Sequence, residues 1–207
     1  MEIFQPEYDW AYLPGERKET KYIVIHHAAG KGSAEAIHAY HRDSRGWAGI
    51  AYHYYVRLDG QICRGREENW IGGHTSGYNS ISLGVCFEGD FTVETMSKEQ
   101  LMAGRELVAL LRERYPEAEI VPHKALNSTA CPGDNFPFEA LVRGGEGMYA
   151  TIADVPEYYR PAIKKLMEMG VLLGRRDFDP EKIEDNILDL SEDYCRVMAT
   201  LYKLGVF

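Results

Sequence analysis

Three residues of this chain have the types and surroundings to hold a divalent metal. His26 closes the apolar run "KYIVIHH" (21–27), and His123 and Cys131 stand in "PHKALNSTACPG" (122–133). Imidazole and thiolate are zinc ligands, and a catalytic zinc takes three protein ligands and keeps a fourth position open for chemistry. Seven residues separate His123 from Cys131, a loop long enough to bring both onto one ion. Pro132-Gly133 is a turn that presents the thiol instead of burying it in a helix. Side chains of a strand alternate faces, so His26 and His27 point in opposite directions. Simpler readings stay open on spacing alone: a strand-end histidine is often a satisfied core group, and a lone cysteine a small buried hydrophobe.

Elements must position these groups. "KYIVIHH" reads as a buried strand, apolar on both faces, after an irregular lead-in over residues 1–20. "GSAEAIHAYHRD" reads as a helix capped by Ser33, with Ala36, Ile37, Tyr40 and His41 on one face. "AYHYYVRLDGQICRG" is a hairpin signal around Asp59-Gly60, a pair that suits a type I′ turn. "ISLGVCFEG" is a second buried strand. "SKEQLMAGRELVALLRERY" is a helix with a Ser97/Gln100 capping box and a stripe of Leu101, Gly104, Val108, Leu111 and Tyr115. "AEIVPHKALNSTACPG" gives a short strand running into a loop. Strands alternating with helices, plus one hairpin, predict an α/β fold with a mixed central sheet flanked by helices.

Bulk composition narrows the function. The 207 residues are 45% hydrophobic and 12% aromatic, enough for one ordinary domain and a small appendage. A net charge of -9 argues against the nucleic-acid backbone as a partner, which needs clustered Lys and Arg. No run approaches a membrane span, and "MEIFQPEYDW" lacks the basic-then-apolar pattern of a signal peptide. Cys63, Cys86, Cys131 and Cys195 are scattered, which predicts free thiols with one on a metal.

Four blocks, "VIHHAA", "GIAYHYYVRLDGQICRGR", "HTSGYNSISLGVCFEG" and "HKALNSTACPG", stand in the order and spacing of a known family. Over roughly residues 20–143 the chain resembles the type 2 N-acetylmuramoyl-L-alanine amidases, which include T7 lysozyme-type endolysins and animal peptidoglycan recognition proteins. The resemblance implies a zinc in a groove and hydrolysis of the amide between the lactyl group of N-acetylmuramic acid and L-alanine. It implies His26, His123 and Cys131 as the zinc ligands. It places Tyr52 beside the metal as a catalytic hydroxyl, and Thr129 where endolysin relatives often carry Lys. Some branches have a glutamate base in the slot of Cys86; here the nearest carboxylate is Glu88, for which a structural role is the simpler reading. Trp47, His74, Thr75 and Asn79 are expected to contact muropeptide, and His27 to hydrogen-bond behind the site. His38, His41 and His53 read as structural or solvent-facing.

Domain organisation follows: a catalytic domain over 1–143, a glycine-rich linker over 144–150 and a small helical module over 151–207. Within the module, 156–172 and 191–207 align at an offset of 35, with identities at Glu157/Glu192, Tyr159/Tyr194, Leu166/Leu201, Gly170/Gly205 and Val171/Val206. Each half reads as a helix ending at Gly, followed by a valine that folds back. In the second half Tyr194, Val197, Met198, Leu201 and Tyr202 share an apolar face. Cell-wall attachment and homodimerisation are both compatible with such a module. The expected partner is peptidoglycan or its muropeptides. The expected setting is a protein made in the cytoplasm that acts on the bacterial wall after release, as a phage or prophage endolysin or autolysin. A cytosolic wall-recycling amidase and a non-cutting recognition module are the alternatives.

Overall fold

The computed structural model describes residues 2–143, 148–149, 151–152, 155, 157–169 and 190–206. The chain divides into two compact units, Met1–Leu141 and Val142–Phe207.

The first unit is built on β1 (Ile3–Phe4), β2 (Tyr22–His27), β3 (Tyr54–Val56), β4 (Ile62–Arg64), β5 (Ser82–Phe87) and β6 (Glu119–Pro122), in the sheet order β1-β4-β3-β5-β2-β6. β2 lies parallel between β5 and β6, β3 is parallel to β5, and β3 and β4 form the antiparallel hairpin. The central strands are apolar on both faces because both faces are covered. On one face Ala34 of α1 (Ala34–Ala39) packs with Ile50, Tyr55, Cys63 and Cys86. On the other lies α2 (Lys98–Arg114), where a Cβ on Gly104 would sit 2.6 Å from the Phe87 ring. Glycine therefore lets the helix approach the sheet. Cys86 and Phe87 are consecutive, so the two helices cover opposite faces. α3 (Phe138–Arg143) adds Leu141 beside Gly104. The fold is the mixed sheet flanked by helices that the sequence predicts.

Local details differ from the sequence reading. The lead-in contains an edge strand, β1, parallel to β4. The hairpin does not use a type I′ turn: Gly60 donates to the Arg57 carbonyl at 3.0 Å, Gly60 alone takes a left-handed φ of +85°, and Asp59 does not. That is a three-residue loop in which Asp59 Oδ1 accepts from the Gln61 amide. The first helix turns π-helical over Tyr40–Ser44, so His38 and His41 are buried while Tyr40 is exposed. Ser33 and Ser97 cap α1 and α2 as expected, each accepting an amide three residues on. The reciprocal half of the Ser97 box is missing, because Gln100 Nε2 donates to the Val56 and Glu88 carbonyls.

The second unit pairs β7 (Met148–Tyr149) antiparallel with β8 (Leu190–Ser191) and carries α4 (Arg160–Glu168) and α5 (Glu192–Lys203). Ile163 and Leu166 of α4 share a core with Cys195 and Ala199 of α5. α5 stops at Gly205, whose φ is +70°, and the Val206 amide returns to the Leu201 carbonyl at 3.1 Å. Only the Val206 backbone folds back; its side chain is exposed. Gly170, Val171 and the side chains of Tyr194 and Val197, all part of the expected repeat, lie outside what is described.

Candidate metal centre

Sheet register brings the first two ligand candidates together. Ile25 pairs with Pro122, so His26 and His123 follow side by side at the C-terminal ends of β2 and β6. Their ring centroids are 4.4 Å apart. The Lys124 amide donates to the Cys131 carbonyl at 2.9 Å and closes the loop between His123 and Cys131. One ligand atom from each of His26, His123 and Cys131 lies within 4.8 Å of the other two.

The hydrogen bonds show which atoms remain for a metal. His26 Nε2 meets His74 Nδ1 at 3.0 Å, while His26 Nδ1 faces Cys131 Sγ at 3.7 Å. His123 Nε2 meets Asn127 Oδ1 at 3.1 Å, leaving its Nδ1. Tetrahedral zinc separates a nitrogen and a sulfur ligand by about 3.6 Å, so the His26–Cys131 spacing fits. Asn127 is held by its other end, which donates to the Ser76 carbonyl at 3.3 Å.

Electrostatics suit neutral imidazoles. Burial pushes His26 well below the usual histidine range, with His123 and His27 adding to the effect. Burial also lowers His123. The Cys131 thiol is pushed up to about 11 by burial, against the pull of the His27 amide, which donates to Sγ at 3.4 Å. A metal must displace that thiol proton.

His27 corrects one expectation. Its ring turns to the opposite face, where Nδ1 accepts from the Phe91 amide at 3.2 Å and lies 3.6 Å from Asp90 Oδ1. The group of His27 that reaches the candidate ligands is its backbone N–H, which donates to Cys131 Sγ, not its imidazole.

The Tyr52 ring centroid is 5.3 Å from that of His26. Burial above all, then Cys86 and Cys131, raise its pKa, so it keeps its proton and can donate. Burial raises the Cys86 thiol too, which leaves no base in that slot. Glu88 is buried in structural service: Oε1 accepts from the Gly32 amide at 2.9 Å and Oε2 from the Leu58 amide at 3.1 Å. Thr129 is exposed, and its Oγ1 accepts from the Cys131 amide at 3.2 Å, which leaves the hydroxyl proton free to donate.

A groove of about 690 Å³ runs past the cluster, lined among others by Tyr12, Trp47, Asn79, His123 and Thr129. Trp47 is 38% exposed, with its ring 4.9 Å from His41. His74 and Thr75 border the groove with side chains only 8% and 1% exposed, turned onto His26 rather than outward. Asn79 Oδ1 accepts the His74 and Thr75 amides, both at 2.8 Å, and so fixes that loop. His38, His41 and His53 are structural, each accepting a backbone amide. A second cleft of about 520 Å³ surrounds Glu68, but Tyr54, Arg64, Arg114 and Tyr115 already satisfy that carboxylate.

Sequence reasoning missed Asn127 and the inward role of His74. Asn127 stood four residues after His123, and Gly84 inside a strand signalled a close approach.

The chain is similar to known proteins. Residues 16–134 match the family model described as N-acetylmuramoyl-L-alanine amidase. The endolysin of Enterobacteria phage K11 is 31% identical over 140 residues, which is 63% of this chain and 91% of the endolysin. Peptidoglycan-recognition protein SC2 of Drosophila melanogaster is 35% identical over 130 residues, 56% of this chain and 69% of that protein. Among solved structures, the N-acetylmuramoyl-L-alanine amidase LysC from Clostridium intestinale superposes with a TM-score of 0.65 at 36% identity, covering 68% of this chain and 95% of LysC.

Proposed function

The chain belongs to the N-acetylmuramoyl-L-alanine amidase family, and from that premise we propose that it is a zinc-dependent amidase of the endolysin type. Its substrate is the amide between the lactyl carbonyl of N-acetylmuramic acid and L-alanine in peptidoglycan. The observation that carries this reading is the meeting of His26, His123 and Cys131 beside an open groove. Bound there, zinc would supply a Lewis acid that acidifies water towards neutral pH and polarises a carbonyl.

The chain's own residues supply the rest. Tyr52 keeps its proton and donates a hydrogen bond to the oxyanion that develops on the scissile carbonyl. Thr129, on the groove lining, offers a second, uncharged donor. Trp47 presents its indole to sugar or peptide, and the Asn79 amide NH₂ is the group left for the groove once its oxygen holds the loop. Among the described residues no helix is long and apolar enough to cross a membrane. The setting we propose is the bacterial wall after release from the cytoplasm. The domain plan we propose is a catalytic domain over 1–143, a linker over 144–150 and a helical module over 151–207 for wall attachment or homodimerisation.

The similarity to a peptidoglycan-recognition protein favours one second reading, binding without cleavage. The thiol ligand at Cys131 argues for cutting, because it completes the three-ligand set. The test is digestion of purified peptidoglycan. The expected products carry new L-alanine amino groups and no new reducing sugar ends, with activity lost to a chelator and restored by zinc. New reducing ends identify a glycosidase and refute the amidase. Retention of muropeptide without any cleavage at full zinc loading establishes the binding module.

A further inference from the structure

The His74 ring is buried at the groove edge yet only half satisfied. Two groups lie within hydrogen-bond reach of its Nδ1: the His26 ring nitrogen Nε2 at 3.0 Å and the Thr75 hydroxyl at 2.8 Å. Its other nitrogen, Nε2, is buried with no partner. The slot around the ring is cut by two glycines. A Cβ on Gly72 would sit 2.5 Å from His74 Cδ2, and a Cβ on Gly84 would sit 2.6 Å from Cγ and Cδ2. The loop that carries the ring is fixed by Asn79 through two backbone amides. A buried ring nitrogen without a partner asks for an explanation.

We infer that His74 is a positioning residue for the metal centre: its Nδ1 accepts the Nε2 proton of His26 and thereby holds His26 in the tautomer whose Nδ1 is free to bind zinc. This deepens the zinc-amidase reading and rests on it. Neutral imidazole carries one proton, so a proton held on His26 Nε2 leaves Nδ1 as the lone-pair nitrogen. His26 can donate there only if His74 Nδ1 is itself unprotonated. The Thr75 hydroxyl, 2.8 Å from the same atom, can donate to it in that state. The His74 proton is then confined to Nε2, which accounts for the orphan between the two glycines. Groups that orient a metal-bound histidine in this way typically govern affinity by about 10–100-fold.

The experiment measures zinc affinity of the full chain by competition with a chromophoric chelator. His74→Phe fills the slot with a ring that cannot accept, and is expected to weaken zinc binding by about 10–100-fold. His74→Asn, whose Oδ1 falls near the position of Nδ1, is expected to restore most of that loss. In wild type loaded with zinc, nitrogen-15 spectra of the ring nitrogens are expected to show His26 and His74 both protonated on Nε2. That readout needs no variant and so survives any folding defect. A wild-type chain that binds no zinc overturns the amidase reading and this inference together. Zinc binding intact in wild type and unchanged in His74→Phe, with KM raised instead, overturns the inference alone and makes His74 a substrate contact. A His74 proton found on Nδ1 in the zinc-loaded protein also overturns it.

Discussion

Gly84 is the position where the seating of His74 can be tested by volume alone. Replacing it with Ala adds one carbon, 2.6 Å from His74 Cγ and Cδ2 and 2.8 Å from Nε2. Ordinary carbon contacts lie at about 3.5–4.0 Å, so the ring must retreat by about 1 Å. Gly72 lies against the same atoms, where a Cβ of its own would sit 2.5 Å from Cδ2, so the ring cannot retreat towards that residue. A shift of that size takes the 3.0 Å contact with His26 out of hydrogen-bond range. Overpacking of this kind costs about 1–3 kcal/mol. The backbone itself gives no objection, because Gly84 is not among the left-handed positions, and a strand alanine is otherwise favourable by about 0.5–1 kcal/mol. The discriminating assay is a double-mutant cycle in urea with wild type, Gly84→Ala, His74→Ala and the pair, followed by tryptophan fluorescence in chelator. Trp10, Trp47 and Trp70 all lie in the first unit, so the signal reports that unit. Gly84→Ala is expected to cost about 1–3 kcal/mol alone and close to nothing once the His74 ring is gone, a coupling of similar size. Equal cost in both backgrounds refutes the slot.

Three further outcomes follow from the same geometry. His53 is fully buried, accepts the Gly84 amide, bonds the Trp70 carbonyl, and is lowered by burial to about 3. The unfolded chain takes up that proton near pH 6.5 and the folded chain does not until about 3, so stability is complete above 6.5 and falls as pH drops through this window. The linked loss is about 5 kcal/mol in total by the pKa difference, and urea midpoints that stay level from pH 7 to pH 4 contradict it. Tyr52→Phe is expected to lower kcat about 100-fold with zinc affinity unchanged; a normal rate on defined muropeptides removes Tyr52 from the reaction. Cys131→Ser is expected to lose most metal and turnover while fragment binding persists, read by metal analysis and calorimetry. Wild-type metal content in that variant disproves the ligand set.

What sequence revealed and what it hid divides along physical lines. The candidate ligands could be named because zinc accepts few side chains and the family resemblance singles out His26, His123 and Cys131, which the fold brings within 4.8 Å of one another. The buried strands were legible because double coverage demands continuous apolar runs, as in "YIVIHH" and "SLGVCF". The partners of the ligands were not. His74 was assigned to the groove wall by its company in "GGHTSGYN", yet which way that ring turns depends on space left by Gly72 and Gly84, one of them on a different element. His27 failed for the opposite reason. Alternation placed its ring correctly on the far face, but the useful group proved to be its backbone N–H, and a main-chain donor has no residue type to read. The Ser97 box was misjudged because the Val56 and Glu88 carbonyls, distant in sequence, take the Gln100 side-chain amide, and the Asp59-Gly60 turn because the Gly60 and Gln61 amides bond Arg57 and Asp59 within a three-residue loop. Residue type announces what a metal can bind; only packing decides which nitrogen of each histidine is left to bind it. In this chain His74 stands against Nε2 of His26 and Asn127 against Nε2 of His123.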